Sequence, residues 1–180
     1  MDLKLREKVA LVMASSSGLG LAIALEYARE GAKVMICSSK GDKLERASRK
    51  IAEETGNVPA FQVCDITRSD DIVGVVRRTE EVFGGLHVLV NNSGGPPPGP
   101  FESFGDETWQ YSFELNLLSY VRTIREVLPI MRNQHWGRII NSTSSSVKQV
   151  INNLVLSNTF RLGVIGLTKT LSRELAPEGI

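Results

Sequence analysis

Histidine and cysteine are scarce, with two of each in 180 residues. His87 and His135 lie far apart in the chain, and neither has an acidic ligand cluster beside it. That argues against a metal centre. Cys37 and Cys64 each sit in an apolar run and form no CxxC pair. The expectation is two buried, reduced thiols in a cytoplasmic protein, and no disulfide. An excess of one charge is also missing: 21 Lys and Arg stand against 20 Asp and Glu, for a net charge of +1. Such a balance implies no polybasic surface for nucleic acid or acidic lipid. No apolar run is long enough to span a membrane. Met1 to Lys8 is charged throughout, unlike a signal peptide. Internal repeats and a domain linker are absent too. What remains is 42% hydrophobic and 23% charged, the composition of one soluble globular domain over 1–180.

Short β-rich runs alternate with long amphipathic segments. Strands are expected at Val9–Met13, Lys33–Cys37, Val58–Cys64, Leu86–Val90 and Arg138–Asn141. Helices are expected at Leu19–Arg29, Asp42–Glu54, Asp70–Phe83, about Asp106–Asn133 and roughly Leu154–Leu175. Gly31 ends the first helix, and Gly84-Gly85 closes the third. Ser69 reads as an N-cap, and Pro129 as a kink or stop in the long helix. The run from Ser93 to Pro100 holds three glycines' worth of freedom and four prolines, so it is a mouth or lid loop. Alternation of this kind predicts an α/β, Rossmann-like doubly wound parallel sheet, and the order of the dinucleotide fold, 3-2-1-4-5, is expected for its five strands. Ligands in such sheets bind at the carboxyl ends of the strands.

After the first strand comes Ala14-Ser15-Ser16-Ser17-Gly18-Leu19-Gly20, leading directly into a helix. A helix start built of small residues offers free N–H groups and a positive dipole end to a pyrophosphate. Ser/Gly turns also cap ordinary helices, but the strand–turn–helix context here is that of a dinucleotide site. After the second strand the chain reads Cys37-Ser38-Ser39-Lys40-Gly41, with no acid before Asp42. An acid there would bind a ribose 2′-OH and select NAD. Ser39 and Lys40 instead suit a 2′-phosphate, so NADP is expected over NAD. The alternative is that Lys40 is a solvated surface charge.

The order and spacing of these motifs resemble the short-chain dehydrogenase/reductase family, and the resemblance covers the whole chain. The phosphate turn is similar to the family's Thr-Gly-x-x-x-Gly-x-Gly, with Met13 and Ala14 at its first two positions. Cys64-Asp65-Ile66 resembles the pair beside the adenine ring. Asn91-Asn92-Ser93-Gly94 resembles Asn-Asn-Ala-Gly. Asn116 matches the Asn of the family's proton relay, and Ser144 its catalytic Ser. The nearest members look like the 3-oxoacyl-carrier-protein reductase group. The resemblance implies cofactor contacts from Ser15, Ser16, Ser17, Gly18, Leu19, Gly20, Ser39, Lys40, Asp65, Ile66, Asn92 and Gly94. It implies a small carbonyl or alcohol substrate and a homodimer or homotetramer built on the two long helices.

At the family's Tyr-x-x-x-Lys the chain departs, reading Ser157-Asn158-Thr159-Phe160-Arg161. Ser157 takes the place of the proton donor and Arg161 that of the cation. A phenol has a pKa of about 10 and is tunable by a cation, whereas an aliphatic hydroxyl is a poor general acid. Arg161 shuttles no protons but can bond a ribose or stabilise a developing oxyanion. Tyr27, Tyr111 and Tyr120 lie far away in sequence and read as packing residues. Asn116, Ser144, Ser157 and Arg161 are the candidate catalytic residues. Three readings follow: a reductase with a Ser-x-x-x-Arg site, a cofactor-binding sensor or assembly partner with little catalysis, or a lyase or epimerase step on the same scaffold. By resemblance the closing phrase Ala176-Pro177-Glu178-Gly179-Ile180 leads into a sixth strand, so the domain reads as C-terminally truncated, with the fifth strand as an edge.

Overall fold

The computed structural model describes residues 2–180. Its elements run β1 (Val9–Val12), α1 (Gly18–Arg29), β2 (Lys33–Ser38), α2 (Gly41–Thr55), β3 (Ala60–Val63), α3 (Ser69–Phe83), β4 (Val88–Asn91), α4 (Asp106–Phe113), α5 (Ser119–Asn133), β5 (Arg138–Asn141) and α6 (Val155–Glu174). The five strands form one parallel sheet in the order β3-β2-β1-β4-β5, the order expected of a dinucleotide fold.

Both faces of the sheet are covered, and the side-chain alternation of each strand divides the core in two. Ala10 and Val12 of β1, Val34 and Ile36 of β2, and Val88 and Val90 of β4 pack under α1 and α2. Leu11, Met35 and Leu89 point the other way, against Ile72 and Val75 of α3 and Val127 and Met131 of α5. The outer strands are less enclosed. Phe61 and Val63 of β3 and Ile140 of β5 are exposed. Among the described residues no helix is long and apolar enough to cross a membrane.

Several expected boundaries move. β3 starts two residues later, because Pro59 has no N–H for a ladder and Val58 is exposed. Ser69 is the first residue of α3 and not its cap; Arg68 occupies the cap position, with no side-chain bond. Pro129 lies inside α5, which continues to Asn133. The ring faces solvent, so the carbonyl it leaves unpaired can be hydrated. The long helix is interrupted upstream instead, at a π-helical turn over Glu114–Leu118. Cys37 and Cys64 are free and buried, and they are neighbours. The Cys64 thiol is pushed up by its hydrogen bond to Cys37 and by burial, which keeps it protonated and unreactive.

His87 ties β4 to β1. Its Nδ1 accepts from the Val9 N–H at 3.1 Å, a bond that needs the neutral ring. Burial, then Lys8 and Lys33, hold its pKa below the ordinary value. A base with a depressed folded pKa binds fewer protons folded than unfolded, so stability rises with pH across that range. Acidification below about pH 6.5, the ordinary histidine value, is expected to lower the urea midpoint. His87→Gln should flatten that dependence; an unchanged slope in this variant would refute the assignment.

Candidate functional site

A cavity of about 470 Å³ opens at the carboxyl ends of the strands. Its walls come from the four turns that follow β1, β2, β3 and β4, as Ala14, Ser16 and Ser17, then Ser38 to Lys40, then Cys64 to Ile66, then Asn92 to Gly94. Each lies at a strand end because the parallel sheet aligns all its strands the same way.

The phosphate-type end is the start of α1. Ser17 precedes the helix in extended conformation and makes no side-chain cap, so no side chain covers the first N–H groups. Gly20 permits a very close approach: a Cβ there would sit 2.5 Å from the Ala14 carbonyl oxygen and 2.8 Å from Asn92 Nδ2. The Asn92 amide in turn donates to the carbonyls of Ala14, at 3.1 Å, and Met13, at 3.3 Å. Ala14 holds φ at +47°. That conformation suits the glycine found there in similar turns and strains an alanine.

At the β2 end Ser16 Oγ donates to Ser38 Oγ at 2.9 Å, and the Lys40 N–H donates to the same oxygen at 3.2 Å. Ser39 and Lys40 line the cavity as expected, and so does Lys43, which sequence reasoning missed. Lys43 lies three residues beyond Lys40, at the opening of α2. Helical spacing from Lys40 is the signal that points to it. No carboxylate lines that end of the cavity. The lining's one carboxylate, Asp65, stands at the neighbouring β3 end, where its Oδ1 accepts from the Thr67 N–H at 3.0 Å and hydroxyl at 2.8 Å.

Of the expected cofactor residues, Ser16, Ser17, Leu19, Ser39, Lys40, Asp65, Ile66, Asn92 and Gly94 line the cavity. Gly18 and Gly20 shape the turn behind it. Ser15 is placed elsewhere. It is fully buried, its hydroxyl donates to the Val12 carbonyl at 2.6 Å, and it accepts from the Cys37 N–H at 3.1 Å. It ties β1 to β2.

The second cluster lies around the ends of β4 and β5. The π-helical turn carries Asn116 inward, where it is 0% exposed. Its Nδ2 donates to Ser93 Oγ at 2.9 Å and to the Gly94 carbonyl at 2.8 Å, while its Oδ1 is buried without a partner. Ser144 caps the short 3₁₀ turn Ser145–Val147, and its Oγ accepts from the Ser146 N–H at 3.1 Å. Ser157 lies in the first turn of α6, buried. Arg161, one turn further on, is only 6% exposed. Its Nη1 donates to Tyr120 Oη at 3.0 Å and the Ser142 carbonyl at 3.2 Å. Its Nη2 donates to the carbonyls of Gly94 at 3.2 Å and Ser93 at 3.4 Å.

Tyr120 therefore belongs to this cluster and is more than a packing residue. Its position four residues after Asn116, on the same helical face, is the sequence signal for it. Tyr111 also leaves the packing class, lining the cavity mouth with Leu115. Phe160, next to Arg161, stacks edge-on against Trp109 at 5.7 Å and fixes α6 against α4.

The model of the family described as short chain dehydrogenase matches residues 8–180. The chain belongs to the short-chain dehydrogenase family. It is 36% identical to an uncharacterized oxidoreductase of Bacillus subtilis over 98% of this chain and 68% of the relative. Among solved structures it is similar to an L-sorbose reductase of Gluconobacter frateurii complexed with NADPH and L-sorbose, with TM-score 0.96, 32% identity, and coverage of 100% of this chain and 68% of that one. It is also similar to the F189W actinorhodin polyketide ketoreductase with NADPH, with TM-score 0.92, 34% identity, and coverage of 97% of this chain and 67% of that one. This family membership accounts for the strand order and for the cavity at the strand ends.

Proposed function

We propose that the chain is an NADP(H)-dependent oxidoreductase that reduces a small carbonyl compound, or oxidises the matching alcohol, with a Ser-x-x-x-Arg site. The observation that carries the reading is the cavity itself. It runs from the uncapped start of α1 to the Asn92–Gly94 turn, with Lys40 and Lys43 at its β2 end and no carboxylate among the lining residues from Ser38 to Lys43. The residues present fit a phosphorylated dinucleotide: Gly20 clears the backbone, the α1 amides suit a pyrophosphate, and the two lysines with Ser39 suit a 2′-phosphate.

The bound nicotinamide would supply or accept the hydride. Ser144 offers a hydroxyl to polarise a carbonyl oxygen. Asn116 holds the Ser93–Gly94 turn that walls the cavity. Ser157 is a weak acid for its position, so proton delivery is the slow part of the chemistry. The two long helical segments, 106–133 and 155–174, leave Tyr111 and Leu162 exposed, which supports self-association across them.

A specific observation favours a second reading, a cofactor-binding protein with little catalysis. Four hydrogen bonds of the Arg161 guanidinium end on protein oxygens, and no phenol stands at position 157. Fluorescence titration decides the cofactor, and NADPH oxidation with aldehydes, ketones, quinones and 3-oxoacyl thioesters decides the activity. NADPH is expected to bind at least roughly tenfold tighter than NADH, since a hydrogen bond to a charged group contributes about 1.5 kcal/mol or more. Tighter NADH binding refutes the cofactor reading. Tight NADPH binding with no turnover above background replaces the first reading with the second.

A further inference from the structure

Arg161 is a buried cation without a buried anion. It takes part in no ion pair among the described residues, and its Nε is buried without a partner. A cation so placed is tolerated only where its hydrogen bonds are well met. Its sole side-chain partner is Tyr120, which is 1% exposed.

The hydroxyl protons of this network have consistent directions. Tyr120 donates to the Ser142 carbonyl at 2.8 Å, leaving its lone pairs for Arg161 at 3.0 Å and for Ser93 Oγ at 3.4 Å. Ser93 Oγ accepts from Asn116 at 2.9 Å, so its own proton turns to Tyr120. Arg161, Tyr120, Ser93 and Asn116 thus form one continuous chain. It joins the ends of β4 and β5 to α5 and α6. Ser93 and Gly94, whose carbonyls the guanidinium grips, also line the cavity.

We propose that Tyr120 is a positioning residue of the cofactor site: its hydroxyl holds the Arg161 guanidinium, which in turn sets the Ser93–Gly94 wall of the cavity. Phenylalanine at position 120 would fill the same space. The Ser142 carbonyl would keep Arg161 as a donor. What disappears is the one contact that fixes the guanidinium from the α5 side.

The inference rests on reading the cavity as an NADP(H) site, and its test separates the two. NADPH dissociation constants and thermal midpoints are measured for the full chain, Tyr120→Phe, Arg161→Met and the double variant. Tyr120→Phe is expected to weaken NADPH binding about tenfold, the scale of one hydrogen bond to a charged group. In the Arg161→Met background the same change should shift the constant by less than about twofold, because the two residues act as a unit. If Arg161→Met does not fold, Arg161→Lys replaces it with the same expectation, since a lysine lacks the fork that bridges these acceptors. Failure of the unsubstituted chain to bind NADPH overturns the cofactor reading itself. NADPH binding by the unsubstituted chain, with Tyr120→Phe within twofold of it, overturns this inference alone. So do equal effects in both backgrounds, or a lowered thermal midpoint with no change in affinity.

Discussion

Gly20→Ala is expected to lower NADPH affinity by about 100-fold and to destabilise the fold by about 1–3 kcal/mol, the usual cost of overpacking. The added Cβ would stand 2.5 Å from the Ala14 oxygen, 2.8 Å from Asn92 Nδ2 and 2.9 Å from Ser15 Cα. Two of these three atoms are backbone, and the third is held by its own bonds to Met13 and Ala14. Ala14 has little freedom to yield, since its φ of +47° is already strained. The clash therefore pushes the start of α1 away from the cavity and tilts the amides that would meet a pyrophosphate. Gly18→Ala is the control. It meets no atom within 4 Å, and its cost comes from a φ of +56° alone, so its effect on affinity should be much smaller. Urea unfolding and NADPH titration measure both quantities. Wild-type affinity in Gly20→Ala would show that the turn is not the pyrophosphate site.

Restoring the phenol should have the largest effect on catalysis. The Ser157→Tyr/Arg161→Lys variant is expected to reduce ketones or 3-oxoacyl thioesters about 10²–10⁴-fold faster than the unsubstituted chain, the usual contribution of a positioned acid–base group. Positions 157 and 161 are one turn apart near the start of α6, so their side chains share a face. A lysine would release the Tyr120 and Ser142 contacts that now hold the guanidinium and place its ammonium beside the new phenol. Ser157→Tyr alone should gain less, because Arg161 would remain tied to the protein. Initial rates of NADPH oxidation measure the gain. A double variant that binds NADPH normally yet stays at the starting rate would show that the pocket no longer supports carbonyl reduction.

Much of this is legible in the sequence. The alternation in Val9–Met13 and Lys33–Cys37 defines strands, because a period of two is a local property of the chain. The glycine at position 31 and the pair at 84 and 85 stop helices for a local reason as well, the left-handed conformation they permit. The Ser/Gly turn before α1 was readable because its residues are consecutive. Ser15 points inward, where its hydroxyl donates to the Val12 carbonyl and accepts from the Cys37 N–H, a long-range tie that its neighbours in sequence do not signal. Pro129 does not stop α5, since one missing donor on a solvated face costs little. The π-helical turn at Asn116 has no comparable local signature.

Strand and helix placement and the chemistry of the phosphate turn thus follow from neighbouring residues, whose preferences act over a few positions. The fate of the Arg161 charge does not. Its side-chain partner lies 41 residues away and one of its carbonyl acceptors 67 residues away. Tyr120 and Asn116 meet Ser93 and Ser142 only when the parallel sheet brings the ends of β4 and β5 together. Sequence places a cation at position 161; folding directs that cation onto Tyr120 and the carbonyls that follow β4 and β5, because a buried guanidinium must take its hydrogen bonds from whatever the packed strands present.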